Sequence, residues 1–194
     1  MAALLALLRP LQVVNDIVLR FGRGFATFAI GLMVVCILVQ VFFRYVLNNA
    51  LPWPEEAARF LMLWMTGLIA PSAYRRGGFV AIDMVSALLP RAIGTALSLF
   101  LLLLSTLVLV MGIKLGLKHI NSGWMFASST LYLPLELIGQ KGYKIKLAWM
   151  YMSLYVGLWL LLMVNIELVL RALIGLFGGE DRLRPLFHED LVVE

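Results

Sequence analysis

The chain has 194 residues, 62% hydrophobic and 14% charged, with a mean hydropathy of +0.96, whereas an ordinary soluble domain is about 45–50% apolar and about 25% charged. Too few polar residues remain to cover a water-soluble core, so lipid must solvate much of the surface; intrinsic disorder is excluded by the same composition, and a disulfide scaffold by the lone Cys36. The net charge of +5 reads as membrane topology and attraction to anionic lipid, not as a nucleic-acid footprint.

The first ten residues, Met1 to Pro10, superficially resemble a signal peptide, but Arg9 follows the apolar run and no cleavage site is evident, so the segment is expected to stay on the protein. From Leu11 to Arg23, Leu11, Val14, Ile17 and Val18 recur at helical spacing while Asn15, Asp16, Arg20 and Arg23 supply polarity. That pattern predicts a helix lying in the membrane surface, with a polar leader to the first span as the alternative. Four apolar stretches then come close to or exceed the length of about 20 helical residues that crosses a hydrocarbon core: residues 25–47, 57–74, 92–113 and 147–169. Their continuous rather than alternating hydrophobicity predicts helices, since backbone groups in lipid must bond within their own segment. The expected fold is therefore an all-α integral membrane protein, a single membrane domain over residues 1–194 with four transmembrane helices. Interfacial amphipathic helices are expected at 11–23 and 79–89.

Between the first two spans, Arg44 to Arg59 is the most organised polar stretch. Asn48 and Asn49 end one helix, Pro52 and Pro54 stiffen the turn, and Glu55 and Glu56 stand in the next helix's first turn, where its dipole favours carboxylates. Glu55 and Arg59 are four apart in the favourable acid-before-base order, and Trp53 suits an aromatic belt. Two readings stand side by side: a helix cap, or a contact surface for another subunit or a lipid headgroup. After the second span, Tyr74-Arg75-Arg76-Gly77-Gly78 combines a cationic anchor with a sharp reversal, and Asp83 is placed to pair with Arg75 or Arg76 or to face water. The segment from Lys114 to Lys146, with Trp124, Phe126, Tyr132 and Tyr143, reads either as an interfacial segment or as a solvated loop.

Polar residues inside the spans are few, and ionisable groups at that depth usually mark a transport path. Glu167 is the single acid, and its i,i+4 relation to Arg171 predicts a structural ion pair that snorkels towards the surface rather than a proton relay. Enzyme chemistry has no constellation: His119 and His188 lack zinc spacing, and there is no nucleophile elbow or phosphate-cradling loop. With the N-terminus inside, nine arginines fall on the cytoplasmic side and seven cations outside, which predicts cytoplasmic N- and C-termini.

Phe43-Arg44-Tyr45-Val46, Leu51-Pro52-Trp53, Glu55-Glu56, Arg59-Phe60, and Ala73 to Gly78 through Ile82-Asp83 together resemble the DctQ-like small membrane subunit of tripartite ATP-independent periplasmic (TRAP) transporters. The likeness runs over about residues 25 to 110 and more loosely through Ser129, Leu131 and Pro134; Leu135 to Lys146 is longer and more basic than the pattern. The resemblance implies a bacterial inner-membrane scaffold subunit without cofactor or catalytic residue. Its partners would be a large elevator subunit (M), which holds substrate and sodium, and a periplasmic solute-binding protein (P) that delivers an organic acid. Membrane lipids would be further partners, and no nucleic acid is implied. By position, Arg44, Trp53, Glu55, Glu56, Arg59, Arg75, Arg76 and Asp83 are the implied subunit or lipid contacts. A self-sufficient homo-oligomeric transporter or channel is the rival class; Gln40, Asn165 and Glu167 are the residues it would have to use.

Overall fold

The computed structural model describes residues 2–77, 91–133 and 143–176. In chain order these form α1 (Ala2–Tyr45), α2 (Trp53–Arg75), α3 (Arg91–Gly123), a ribbon of β1 (Ala127–Leu133) and β2 (Tyr143–Lys146), and α4 (Ala148–Leu176). The expected helix at 79–89 and Asp83 lie outside the described residues.

α1 differs most from expectation. It is one helix of 44 residues with Pro10 inside it, about 66 Å long at 1.5 Å per residue, so Leu11 to Arg23 is helical but is not a separate surface element. The reason is visible in the spacing of its buried positions. Leu8, Gln12, Asn15, Leu19, Gly22, Ala26 and Ala29 are buried at alternating steps of four and three, with Cys36 one heptad further on, a seam of the kind that drives left-handed helix packing. A helix resting on a membrane surface would turn Asn15 to water, yet Asn15 is 3% exposed. α1 ends where Asn49 N–H bonds to Phe43 O at 3.0 Å and Asn48 takes a φ of 49°, a left-handed conformation that asparagine tolerates.

α1, α3 and α4 are each long and apolar enough to cross a membrane, over Leu4–Tyr45, Ile93–Gly123 and Ala148–Leu176. α2 covers the expected 57–74 but does not meet that measure by itself. Arg59, Trp64, Thr66, Gly67, Pro71 and Ser72 dilute its apolar content. Contacts with both α1 and α4 explain why it can be less apolar than they are: neighbouring helices, not lipid, solvate much of it. Charges bracket a long uncharged run in each of α1, α3 and α4. Twenty uncharged residues separate Arg23 from Arg44 in α1, twenty separate Lys146 from Glu167 along α4, and twenty-two separate Arg91 from Lys114 in α3. Each run spans about 30 Å, the thickness of a hydrocarbon core.

Lys114 to Gly123 continues α3 instead of forming a loop. The ribbon then pairs antiparallel, Ala127 with Lys146, Tyr132 with Lys144 and Leu133 with Tyr143, with an irregularity between the first two pairs. Lys146 Nζ sits 5.4 Å from the Trp124 ring centroid, and Trp124 meets Trp149 edge-on at 6.4 Å. These contacts fasten the ribbon to the start of α4. The described part of the segment is thus a structured cap, not a solvated loop.

Candidate functional site

Glycine makes the central crossing possible. A Cβ on Gly67 of α2 would stand 2.5 Å from the Ser153 carbonyl oxygen of α4, and one on Gly157 would stand 2.8 Å from the Gly67 carbonyl oxygen. Ser153 and Gly157 form a small-xxx-small pair, the device by which membrane helices bring backbones close enough for dispersion and polar contacts to hold them without a hydrophobic driving force. Further along the same face the close approach brings polar groups together. Asn165 of α4 is 0% exposed. It accepts a hydrogen bond from the Tyr74 hydroxyl of α2 and donates from Nδ2 to Thr106 Oγ1 at 2.7 Å and to Leu102 O at 3.1 Å, both on α3. One amide thereby ties three helices.

Half a turn on from Asn165, on the other side of α4, lies Glu167, also 0% exposed. Asn15 Nδ2 of α1 donates to its Oε2 at 2.7 Å, Arg75 Nη2 of α2 donates to its Oε1 at 2.8 Å, and Arg171 Nε is 3.4 Å from the same Oε1. Arg75 also pairs with Asp16 of α1, and Arg23 Nη1 donates to Ser72 Oγ at 2.9 Å. The expected Glu167–Arg171 geometry is present, but it points inward: the carboxylate is sealed in the bundle and does not snorkel. A buried charge needs several good partners to be tolerated, and three helices supply them. Arg75 lies between Asp16 and Glu167.

At the opposite end Glu56, in the first turn of α2, faces the ribbon. Its Oε2 accepts from the Thr130 backbone N–H at 3.1 Å and from the Thr130 hydroxyl. Burial pushes the Glu56 carboxyl up, but hydrogen bonds from the Ser128 and Thr130 side chains and from the Thr130 and Leu131 backbone outweigh it and leave the carboxyl below its usual value. Glu55 points the other way, to Arg59 at 3.2 Å, with both side chains more than 60% exposed. Arg44 is exposed, with its guanidinium 5.8 Å from the Tyr45 ring centroid. Trp53 is 40% exposed and lines an open, wholly apolar groove with Leu32, Cys36, Phe60 and Leu131. Arg76 caps α2 through its backbone N–H and its side chain is exposed.

A model of the DctQ component of tripartite ATP-independent periplasmic transporters matches residues 33–175. The chain belongs to that family. This DctQ component is a multi-helix inner-membrane protein and part of a transporter, not an enzyme. A comparison with curated proteins finds no match. Asn15 and Asp16, expected on the polar face of a surface helix, instead meet Glu167 and Arg75, and Gly67, Ser153, Gly157 and Thr130 carry roles that the sequence expectations do not include. The four-three spacing in α1 is the local signal for Asn15, and Ser153 with Gly157 is the signal for the crossing. Nothing local marks Thr130 as the partner of a carboxylate 74 residues away.

Proposed function

We propose that this DctQ component is the small scaffold subunit of a TRAP transporter, holding the large M subunit while that subunit moves, as an elevator, an organic acid coupled to sodium. In this reading the P subunit, a periplasmic binding protein, delivers the solute, and both solute and sodium are held on the large subunit. The termini of this chain are cytoplasmic, with the Arg75 end of the bundle inside. The observation that carries the reading is the use made of Asn165 and Glu167, the two polar side chains with no exposed surface among the described residues. Glu167 and Asn165 are bonded inside the bundle to neighbouring helices, so they knit helices together and do not line a path. The outward surface is correspondingly apolar: Phe28, Leu38 and Phe42 of α1 and Phe100, Leu104 and Val108 of α3 are all exposed, as a chain embedded in lipid and against another subunit requires. Beyond Arg23, α1 also carries Ile17 and Phe21, 64% and 77% exposed, past the depth that the charges mark. The large subunit covers them in this reading. At the other end Arg44, Trp53, Glu55 and Arg59 form the outer contact surface, whereas Glu56 acts through the ribbon it holds.

Co-expression with the large membrane subunit tests this. The expected result is a one-to-one complex whose yield falls when Ile17 and Phe21 are both changed to Ser, with uptake in liposomes requiring both membrane subunits and the binding protein. Solute or ion movement by this chain alone, reconstituted in liposomes, overturns the scaffold reading in favour of a self-sufficient homo-oligomer.

A further inference from the structure

Five arginines gather at one end of the bundle: Arg20 and Arg23 of α1, Arg75 and Arg76 at the end of α2, and Arg171 of α4. The acids that meet them among the described residues are Asp16 and Glu167, and both are engaged by Arg75, with Arg171 sharing Glu167. Arg23 therefore lies in an excess of like charge. Arg76, Arg20 and Arg75 all repel it, and Asp16 is the carboxylate that offsets them. It is half-buried in the α1–α2 seam and held there by Ser72 Oγ at 2.9 Å, which fixes its position but adds no negative charge. Arg20 and Arg76 flank it with exposed side chains that enter no hydrogen bond or ion pair among the described residues.

Three cations that converge from two helices and stay together in spite of their repulsion need an anion. Their depth says which kind. Arg23 ends the twenty-residue uncharged run of α1, so it stands at the edge of the hydrocarbon core, the level of phospholipid phosphates. Guanidinium groups match phosphate oxygens bidentately, and Phe25, exposed on the hydrocarbon side of Arg23, presents apolar surface on which an acyl chain can lie. We propose that Arg20, Arg23 and Arg76 form a binding site for the headgroup of an anionic phospholipid, which bridges α1 to the end of α2. This site is independent of the scaffold role, and it belongs to the isolated chain.

Native mass spectrometry of the purified full chain in detergent, offered equal amounts of phosphatidylglycerol and phosphatidylcholine, tests the proposal. Phosphatidylglycerol adducts should dominate. The double variant Arg20→Gln/Arg76→Gln, which leaves the Arg23–Ser72 bond in place, should weaken them at least tenfold, taking roughly fivefold per arginine near an anionic surface. Removing an equal charge at the other end with Lys114→Gln/Lys118→Gln, both exposed on α3, should leave them unchanged. Equal loss in both double variants means diffuse attraction and overturns the site, as does retention of the preference in Arg20→Gln/Arg76→Gln. Displacement of the lipid by millimolar inorganic phosphate overturns the lipid assignment in favour of a free-anion site.

Discussion

Two carboxylates, Glu167 and Glu56, hold the two ends of this bundle, and they do so by different chemistry. Glu167 is fully enclosed among α1, α2 and α4 and meets two arginines and an amide. Glu56 sits at the start of α2, ahead of its apolar run, and is satisfied by hydroxyls and backbone N–H groups of the ribbon. The contrast follows from solvent. At the inner end of α4 an ion must carry its counter-charges with it, because neither lipid nor water is there to screen it. At the interface a carboxylate needs donors more than countercharge, and the helix dipole already favours it. The first arrangement sets the relative register of three helices; the second docks one small ribbon.

This comparison can be broken in steps of decreasing size. Arg75→Ala leaves Glu167 and Asp16 short of their shared cation, so it should destabilise the chain by about 3–5 kcal/mol, the range for removing one partner of a buried pair. Thermal unfolding in detergent, followed by circular dichroism, measures this. If the harm lies in the orphaned charge and not in lost packing, Arg75→Met/Glu167→Met should be less damaging than the sum of the single changes. Additive losses would place the energy elsewhere. Gly67→Ala comes next, at about 1–3 kcal/mol, because the added Cβ meets backbone that cannot swing aside; crosslinking yield between cysteines placed on α2 and α4 should fall with it.

Glu56→Gln should cost about 1 kcal/mol and act locally, speeding proteolysis within the ribbon while the helices keep their melting temperature. A pH series sharpens the point. The Glu56 carboxyl is lowered on folding, so its contribution is fully present above the ordinary carboxylate pKa and is lost as the pH falls through the lowered folded value. Ribbon protection in the native chain should decline on that acid limb, and in Glu56→Gln the limb should flatten. Glu55→Ala stands last, at no more than about 0.5 kcal/mol, since its pair with Arg59 is exposed.

Composition and apolar run lengths alone determined that this is a helical membrane protein, with helices at about 92–113 and 147–169 though not their continuation to Gly123 and Leu176, and that residues 44–59 and 74–77 are helix ends, because each of these depends on local chemistry: transfer into lipid, dipoles, and the backbone limits of proline and glycine. The family likeness was legible for the same reason, as its signals sit in contiguous turns. The tertiary structure decided what those residues are for. A polar face in Leu11 to Arg23 has the same amphipathic pattern whether it meets water or Glu167, and only the fold of α4 against α1 chose the latter. Glu55 and Glu56 are adjacent and alike, yet one faces out and the other takes Thr130, because helix phase relative to a distant ribbon sets the difference. α2 is less apolar than its neighbours since helices rather than lipid surround it, a fact that no window of its own sequence contains.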